Sequence, residues 1–273
     1  MSVTVTFSSA TIPAPERQAL GVFGGTFDPV HFGHLRLAEV GLDALQLARV
    51  RWIPAGRPAL RATPQVDGCQ RLAMVRLAVA DNARFQVDPT EIEAEQPSYT
   101  VPTLERLRAD ASIGPLRPLV WLIGADAYAR ISEWHRWPAL FELAHLAVAH
   151  RPGYPIDAAH LPTALADCHR QRFSADPCVL QHSPAGAIVN LAMDPLAISA
   201  TRIRALLAAG KSARYLLPDA VIDYLQTHRL YVTNGMGLLP SAPENTPFSS
   251  TFSATPQSER TRGSSESPGD LLV

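Results

Sequence analysis

Short apolar runs alternate with segments of helical apolar spacing from residue 19 to residue 232. The apolar runs predict β-strands at 19–23, 50–53, 119–123, 146–149 and 188–191. The periodic segments predict helices at 33–47 and 70–80. A chain that alternates strand and helix in this way forms a parallel sheet with helices on both faces. We therefore predict an α/β protein with a Rossmann-like doubly wound sheet, which binds ligands beyond the carboxyl ends of its strands.

Composition divides the 273 residues into three parts. Residues 1–18 are polar and contain proline, which predicts a flexible N-terminal extension. Residues 19–232 have the length and apolar content of one globular domain. Residues 233–273 are rich in Ser, Thr, Pro and Gly, and such a composition cannot form a packed core. We predict that this tail is disordered.

The charge balance and the cysteine content limit which classes of binding partner and which cellular compartment we predict. The chain has 24 basic and 25 acidic residues and a formal net charge of -1, which argues against dedicated binding to nucleic acids or membrane surfaces. No apolar run reaches the roughly 18–20 residues of a membrane span, and the N-terminus lacks a signal-peptide pattern. Three cysteines do not suit a disulfide scaffold. We predict a soluble, cytoplasmic protein with no nucleic-acid or membrane partner.

The strongest functional signal is the segment 24–34, which joins the first predicted strand to the first predicted helix. Backbone N–H groups at such a helix start bind anions, and glycines let the backbone approach a phosphate closely. The three-residue spacing of His31 and His34 lets both rings face one ligand. The histidines could also be zinc ligands, but no third and fourth ligand has a suitable spacing. We predict a phosphate site formed by Gly24, Gly25, Thr26 and Phe27.

The segment 198–204, Ile-Ser-Ala-Thr-Arg-Ile-Arg, predicts a second helix start. Ser199 is the predicted N-cap of a helix that ends at Gly210. Together, the segments 24–34 and 198–204 resemble the (H/T)xGH and ISSTxxR signatures of the nucleotidyltransferase superfamily. The resemblance implies transfer of an adenylyl or cytidylyl group. It places Ser199 and Thr201 at the ATP phosphates and implies that the catalytic residues are His34, His31 and Arg204.

Further segments resemble bacterial nicotinate-nucleotide adenylyltransferases over about residues 20–231. They are 97–100 (PSYT), 123–126 (IGAD), 134–137 (WHRW), 150–154 (HRPGY) and 215–218 (YLLP). The resemblance implies that the nicotinate carboxylate accepts from the main-chain N–H groups of Thr100 and His135. It also implies that Trp134 stacks on the nicotinate ring and that Arg151 binds the same nucleotide. Family members often have Tyr at the position of His135.

Two residues after a central strand are implied contacts of ATP. They are Gly124 and Asp126, and the Asp126 carboxylate is placed to accept from ribose hydroxyls. Asp126 could instead be a helix N-cap, and Trp134 could be plain core packing.

One segment departs from the family. After the second strand, family members commonly have a Pro-Pro-His-Lys element that reaches the phosphates. Here the segment 54–61 is Pro-Ala-Gly-Arg-Pro-Ala-Leu-Arg, without His or Lys. Arg57 or Arg61 could supply the missing charge, and we assign Arg57 to the nicotinate-nucleotide site. The alternative is that both are solvated loop arginines.

The resemblance implies that ATP and nicotinate mononucleotide are converted to deamido-NAD and pyrophosphate in NAD biosynthesis. It implies Mg²⁺ bound through the ATP phosphates, and we assign no protein-held metal. A homo-oligomer is left open. The alternative acceptors are nicotinamide mononucleotide and phosphopantetheine, although enzymes acting on the latter lack the Ser-Tyr-Thr and Trp-x-x-Trp segments. A non-catalytic nucleotide-binding sensor is the remaining alternative.

Overall fold

The computed structural model of the protein describes residues 18–60, 62–150, 153, 156–194 and 196–232. Within these ranges the centre is a seven-stranded sheet in the order β3-β2-β1-β4-β5-β7-β6. Every neighbouring pair of strands is parallel. The strands are β1 (Leu20–Gly25), β2 (Arg49–Pro54), β3 (Phe85–Val87), β4 (Leu119–Gly124), β5 (His145–His150), β6 (Phe173–Ser174) and β7 (Ile188–Ala192).

Helices connect the strands and cover the sheet. They are α1 (Phe32–Ala44), α2 (Gly68–Val79), α3 (Thr90–Glu93), α4 (Thr100–Ala109), α5 (Ala125–Tyr128), α6 (Leu140–Leu143), α7 (Thr163–Arg172), α8 (Ala200–Ala208) and α9 (Asp219–Thr227). Short 3₁₀ turns lie at Ile131–Glu133, Trp137–Ala139, Ala158–His160 and Pro177–Gln181. The predicted Rossmann-like doubly wound sheet is confirmed.

Both faces of the sheet are buried, which explains why its central strands are continuous apolar runs. Along β4, Leu119, Trp121 and Ile123 pack on one side, together with α4 and α7. Val120 and Leu122 pack on the other side, together with α1, α2 and α9. The alternation follows from the two-residue period of a strand.

The chain changes direction at the centre of the sheet, between β1 and β4. From β1 it proceeds to β2 and β3 on one side, and from β4 to β5, β7 and β6 on the other. The two central strands are paired in register, with Leu20 opposite Leu119 and Val22 opposite Trp121. In a doubly wound sheet the ligand crevice lies at the carboxyl ends of such a pair. The loop 26–31 and the residues after Gly124 lie at these ends.

The predicted strands match β1, β2, β4, β5 and β7, and the predicted helices match α1 and α2, all within a few residues at the ends. The strands β3 and β6 were not predicted because they have three and two residues, too few for a periodic pattern. The predicted N-terminal extension, apart from Gln18, and the predicted tail lie outside the described residues. No helix of the described ranges has both the length and the apolar character needed to cross a membrane.

Candidate active site

The last two residues of β1 and the loop after it, residues 24–31 and called here the phosphate loop, are shaped by aromatic packing. A Cβ at Gly24 would lie 2.5 Å from the Trp121 ring, and one at Gly25 would lie 2.9 Å from the Phe27 ring. Phe27 has a positive φ of 50° and is 2% exposed. Its side chain belongs to the core, so its predicted phosphate contact is confined to the backbone. Both glycines are therefore required by packing as well as by any close approach of a phosphate.

His31 and His34 lie together at the start of α1. Their rings are stacked, with centroids 3.7 Å apart. The His31 N–H donates to Nδ1 of His34 at 3.2 Å, which requires that the ring proton of neutral His34 is on Nε2. His31 is 6% exposed, and desolvation lowers its pKa to about 4. His31 is therefore neutral at pH 7, and His34 has a tautomer that can donate from Nε2.

The second signature meets the first at α1. A Cβ at Gly33 would lie 3.0 Å from the His31 ring and 3.7 Å from the Ile198 carbonyl oxygen. The absence of this side chain therefore leaves room for the His31 ring beside the segment that precedes α8. The two segments, predicted to form one phosphate site from distant parts of the sequence, are neighbours in the fold.

Ser199 is the N-cap of α8, as predicted. Its hydroxyl accepts from the Arg202 N–H at 3.2 Å. The helix ends at Ala208, two residues before the predicted Gly210, which has a positive φ of 65°. Thr201 is exposed, and its hydroxyl accepts from Arg204 Nη2 at 3.4 Å. The start of α8 thus presents two hydroxyl groups and a guanidinium.

Asp28 of the phosphate loop is a connecting residue that the sequence did not reveal. It is 6% exposed, and its Oδ1 accepts from the Tyr231 hydroxyl at 2.5 Å. Its Oδ2 accepts from the Gln65 N–H at 2.9 Å. Arg204 donates from Nη1 to the Asp28 carbonyl oxygen at 2.7 Å and lies 3.8 Å from Oδ2. Arg204 therefore holds the phosphate loop, which is a position the sequence did not predict for it.

The pKa of Tyr231 is raised because its hydroxyl is desolvated and donates to the Asp28 carboxylate. The phenol is therefore protonated at pH 7, and it stays a hydrogen-bond donor. No pattern in the sequence pairs the two residues, which are 203 positions apart.

Open space lies at the carboxyl end of β4. A Cβ at Gly124 would have no atom within 4 Å among the described residues, although Gly124 has an ordinary φ of -77°. Gly124 is itself the N-cap of α5, so the alternative that assigned this role to Asp126 is wrong. Asp126 is exposed in the first turn of α5.

The predicted nicotinate segments are also brought together. Thr100 is the first residue of α4, where helical N–H groups lack partners within the helix. The ring of Tyr99, the residue before it, lies 4.8 Å from that of exposed His135. In the described ranges neither the Thr100 nor the His135 N–H donates a main-chain hydrogen bond. Trp134 is partly buried and packs against the core, so the packing interpretation holds for part of its side chain.

Arg57 is exposed in the loop after β2, residues 54–58. This loop is joined to the nicotinate segment, because the Ser98 N–H donates to the Arg57 carbonyl at 2.9 Å. The predicted residues Arg61 and Arg151 lie outside the described residues.

Comparisons with known proteins identify the family and the fold. Residues 22–206 match the family model described as cytidylyltransferase-like. A "Probable nicotinate-nucleotide adenylyltransferase" of Dechloromonas aromatica is 62% identical over 214 residues, which cover 78% of this chain and 98% of the relative. A relative of the same name from Pseudomonas aeruginosa is 46% identical over 212 residues, covering 78% of this chain and 96% of the relative.

A solved structure shares the fold. It is the nicotinic acid mononucleotide adenylyltransferase of Plasmodium falciparum complexed with NaAD, with a TM-score of 0.58 and 14% identity. The likeness covers 78% of this chain and 97% of that one. From its identity to the bacterial relatives over nearly their whole length, the chain belongs to the nicotinate-nucleotide adenylyltransferase family.

Proposed function

We propose that the protein transfers the adenylyl group of ATP to nicotinate mononucleotide, giving deamido-NAD and pyrophosphate in NAD biosynthesis. The observation that carries the proposal is the meeting of the two signatures at Gly33 and Ile198. Two helix starts, each suited to anions, are thereby near each other. The relatives' names support the same reaction.

The nucleophile is the 5′-phosphate of the mononucleotide, which is ionised at pH 7 and needs no general base. Its oxygen forms a bond to the α-phosphorus of ATP, and the bond to the β-phosphate oxygen breaks, so that pyrophosphate leaves. Catalysis then depends on in-line alignment and on charge stabilisation. His34 donates from Nε2 to an α-phosphate oxygen. Neutral His31 fixes the His34 tautomer through its main-chain N–H.

The polyphosphate is bound by the phosphate loop and by the start of α8. Thr26, the backbone of Gly24, Gly25 and Phe27, and the α8 groups Ser199, Thr201 and Arg204 are the proposed contacts. Arg204 has Nη2 near the exposed Thr201 hydroxyl while its Nη1 holds the loop. The adenosine end lies at Gly124 and Asp126, where the Asp126 carboxylate accepts from ribose hydroxyls.

Magnesium bound to ATP fits these residues. In the described ranges no three His, Cys, Asp or Glu residues converge as a protein-held metal site requires. The Asp28 carboxylate is already engaged by Tyr231 and Gln65. The donors present therefore suit an ion held by phosphates, which Ser199, Thr201 and Arg204 would bind in turn. When bound, Mg²⁺ neutralises charge on the leaving pyrophosphate.

The nicotinate end accounts for the choice of acceptor. A carboxylate accepts from the N–H groups of Thr100 and His135 with its two oxygens, while a carboxamide has one accepting oxygen and would direct its NH2 group at the second N–H. Trp134 stacks on the ring, and Arg57 and Arg151 are the proposed contacts of the mononucleotide phosphate. Stacking of this kind contributes about 0.5–1.5 kcal/mol beyond area burial.

The test is pyrophosphate release by the purified protein with Mg-ATP and either nicotinate or nicotinamide mononucleotide. We expect release with the nicotinate compound to be strongly favoured. A preference for the amide would overturn the carboxylate site while keeping the chemistry. Absence of release with both compounds would overturn the proposed substrate, and phosphopantetheine and CTP would be tested next.

A further inference from the structure

Arg71 is a charged residue of α2 that lies in the interior, where it is 1% exposed. Its Nη1 donates to the carbonyl oxygens of Thr26 at 2.7 Å and Ala55 at 2.6 Å. Its Nη2 donates to the carbonyl oxygen of Gly56 at 2.9 Å. Thr26 follows β1, whereas Ala55 and Gly56 follow β2. One side chain therefore ties the phosphate loop to the loop 54–58 at the carboxyl ends of neighbouring strands.

Packing alone does not account for an arginine at this position. Desolvation lowers the pKa of Arg71, and its buried Nε has no acceptor in the described part of the chain. An apolar side chain of similar volume would fill the space without this desolvation cost. What the guanidinium adds is geometry, because its donors are fixed in one plane and bind carbonyls of two loops at once.

Arg71 also orients a peptide of the phosphate loop. The C=O and N–H of a trans peptide point in opposite directions, and the peptide between Thr26 and Phe27 is trans. Because the Thr26 carbonyl faces the interior guanidinium, the Phe27 N–H faces the outer side of the loop. This is the side on which the ATP phosphates are proposed to bind.

Ser98 holds the loop 54–58 through hydrogen bonds of its own. The Ser98 hydroxyl accepts from the N–H groups of Gly56 at 2.9 Å and Arg57 at 3.3 Å. A Cβ at Gly56 would lie 1.9 Å from the Glu91 carbonyl oxygen, so the loop fits only with glycine there. Ser98 lies two residues before Thr100 in the nicotinate segment. A hydrogen-bonded linkage thus runs from the phosphate loop, through Arg71, the loop 54–58 and Ser98, to the nicotinate site.

We propose that Arg71 is a positioning residue that fixes the separation of the two loops, and thereby aligns the mononucleotide 5′-phosphate with the α-phosphate of ATP. This inference rests on the proposed function. A misplacement of about 1 Å in reacting groups can cost on the order of 10²-fold in rate. The linkage therefore affects kcat more than the KM of either substrate.

The test compares Arg71→Lys with Arg108→Lys in the full chain. Lysine keeps the charge, but a single ammonium cannot reproduce the planar three-carbonyl arrangement. Arg108 is a matched control because it also binds carbonyls, those of Leu143, Pro115, Arg117 and Pro184, which precede strands at the opposite end of the sheet. Thermal melting, kcat and both KM values are measured by pyrophosphate release well below the melting temperatures.

We expect Arg71→Lys to lower kcat about 10²-fold with each KM changed less than about threefold. Arg108→Lys is expected to lower the melting temperature and keep kcat. A kcat of Arg71→Lys within about threefold of the parent, or an equal loss in both variants, would overturn the proposal. An inactive parent protein would overturn the proposed function together with this inference. If the parent is active, an unexpected result for Arg71→Lys overturns the Arg71 proposal alone.

If Arg71→Lys does not fold, Ser98→Ala tests the linkage from its other side, because it removes the acceptor of the Gly56 and Arg57 N–H groups. A fall in kcat of about tenfold or more, with the melting temperature nearly unchanged, would support the proposal. An unchanged kcat would overturn it.

Discussion

His31 and His34 stack their rings at a centroid distance of 3.7 Å, and the main chain of His31 binds the ring of His34 at Nδ1. The pair therefore has divided roles. His31 is buried, with its pKa lowered to about 4 by desolvation, so it adds no charge at pH 7. His34, whose Nδ1 accepts that hydrogen bond, carries its ring proton on Nε2 when neutral. The proposed mechanism uses this one proton donor at the α-phosphate.

Replacement of His34 tests this role. A donor that stabilises charge in the transition state is worth on the order of 10²- to 10³-fold in rate, and we expect His34→Ala to lose that much kcat. The KM for ATP should change little, since the polyphosphate has other contacts. His160→Ala, at an exposed 3₁₀ turn, is the control. A His34→Ala kcat within threefold of the parent would remove His34 from the mechanism.

Alanine substitutions at Gly124 and Gly24 distinguish a glycine that ligand binding requires from one that packing requires. Gly124→Ala places a methyl group in open space, so we expect an unchanged melting temperature and a KM for ATP raised at least severalfold. Gly24→Ala drives a methyl group into the Trp121 ring, and overpacking of this kind costs about 1–3 kcal/mol. We expect it to lower the melting temperature. If Gly124→Ala binds ATP normally, no ligand occupies the space beyond β4.

Trp134 is tested through the two substrates separately. We expect Trp134→Ala to raise the KM for nicotinate mononucleotide about tenfold and to change that for ATP little, because the lost stacking and contact area belong to the nicotinate ring alone. The neighbouring Trp137, which packs edge-to-face on Phe141, is the control. Its truncation should lower stability and leave the ratio of the two KM values unchanged. Equal losses for both substrates in Trp134→Ala would point to a folding defect.

The buried His31 ring makes stability fall in mild acid. Its pKa is about 4 in the folded protein and near 6.5 in the unfolded chain, so between these values the unfolded state binds the extra proton. The free energy of unfolding should therefore fall by up to about 1.4 kcal/mol per pH unit below pH 6.5, as far as about pH 4. Urea unfolding of the parent and of His31→Gln from pH 7.5 to 5 measures this. The variant should show a shallower slope, and parallel slopes would contradict the assignment.

His145 contributes in the same direction, because its pKa is also lowered by burial. Its two ring nitrogens are satisfied by the Ser183 carbonyl and the Ala187 N–H, which requires a neutral ring. The His31→Gln variant therefore keeps part of the acid sensitivity.

The features that could be predicted from the sequence are those that depend on a local pattern of residues. Apolar runs identified five of the strands because both faces of the sheet are buried, and Ser199 was recognised as an N-cap because a cap depends on neighbouring residues. Of the two missed strands, β3 has only three residues at the edge of the sheet. Its backbone is ordered by β2, which a pattern confined to the strand cannot reveal.

Candidate site residues could be proposed from the sequence where they belong to a local motif, whereas contacts between separate elements outside the motifs could not. His31 and His34 belong to one loop, so a motif revealed them. Asp28 with Tyr231, and Arg71 with Thr26, are contacts between separate elements whose meeting depends on tertiary packing. In the sequence Arg71 was one position of a helical segment, and nothing distinguished it from a surface arginine.

The hydrogen bond between Tyr231 and Asp28 has a consequence for synthesis on the ribosome. Translation completes a chain from its N-terminus, so the phosphate loop emerges some two hundred residues before the phenol that holds it. Both signatures, at 24–34 and 198–204, precede Tyr231. A prematurely terminated product that ends between Arg204 and Tyr231 therefore has every residue of the two signatures and still lacks the Tyr231 hydrogen bond to the phosphate loop.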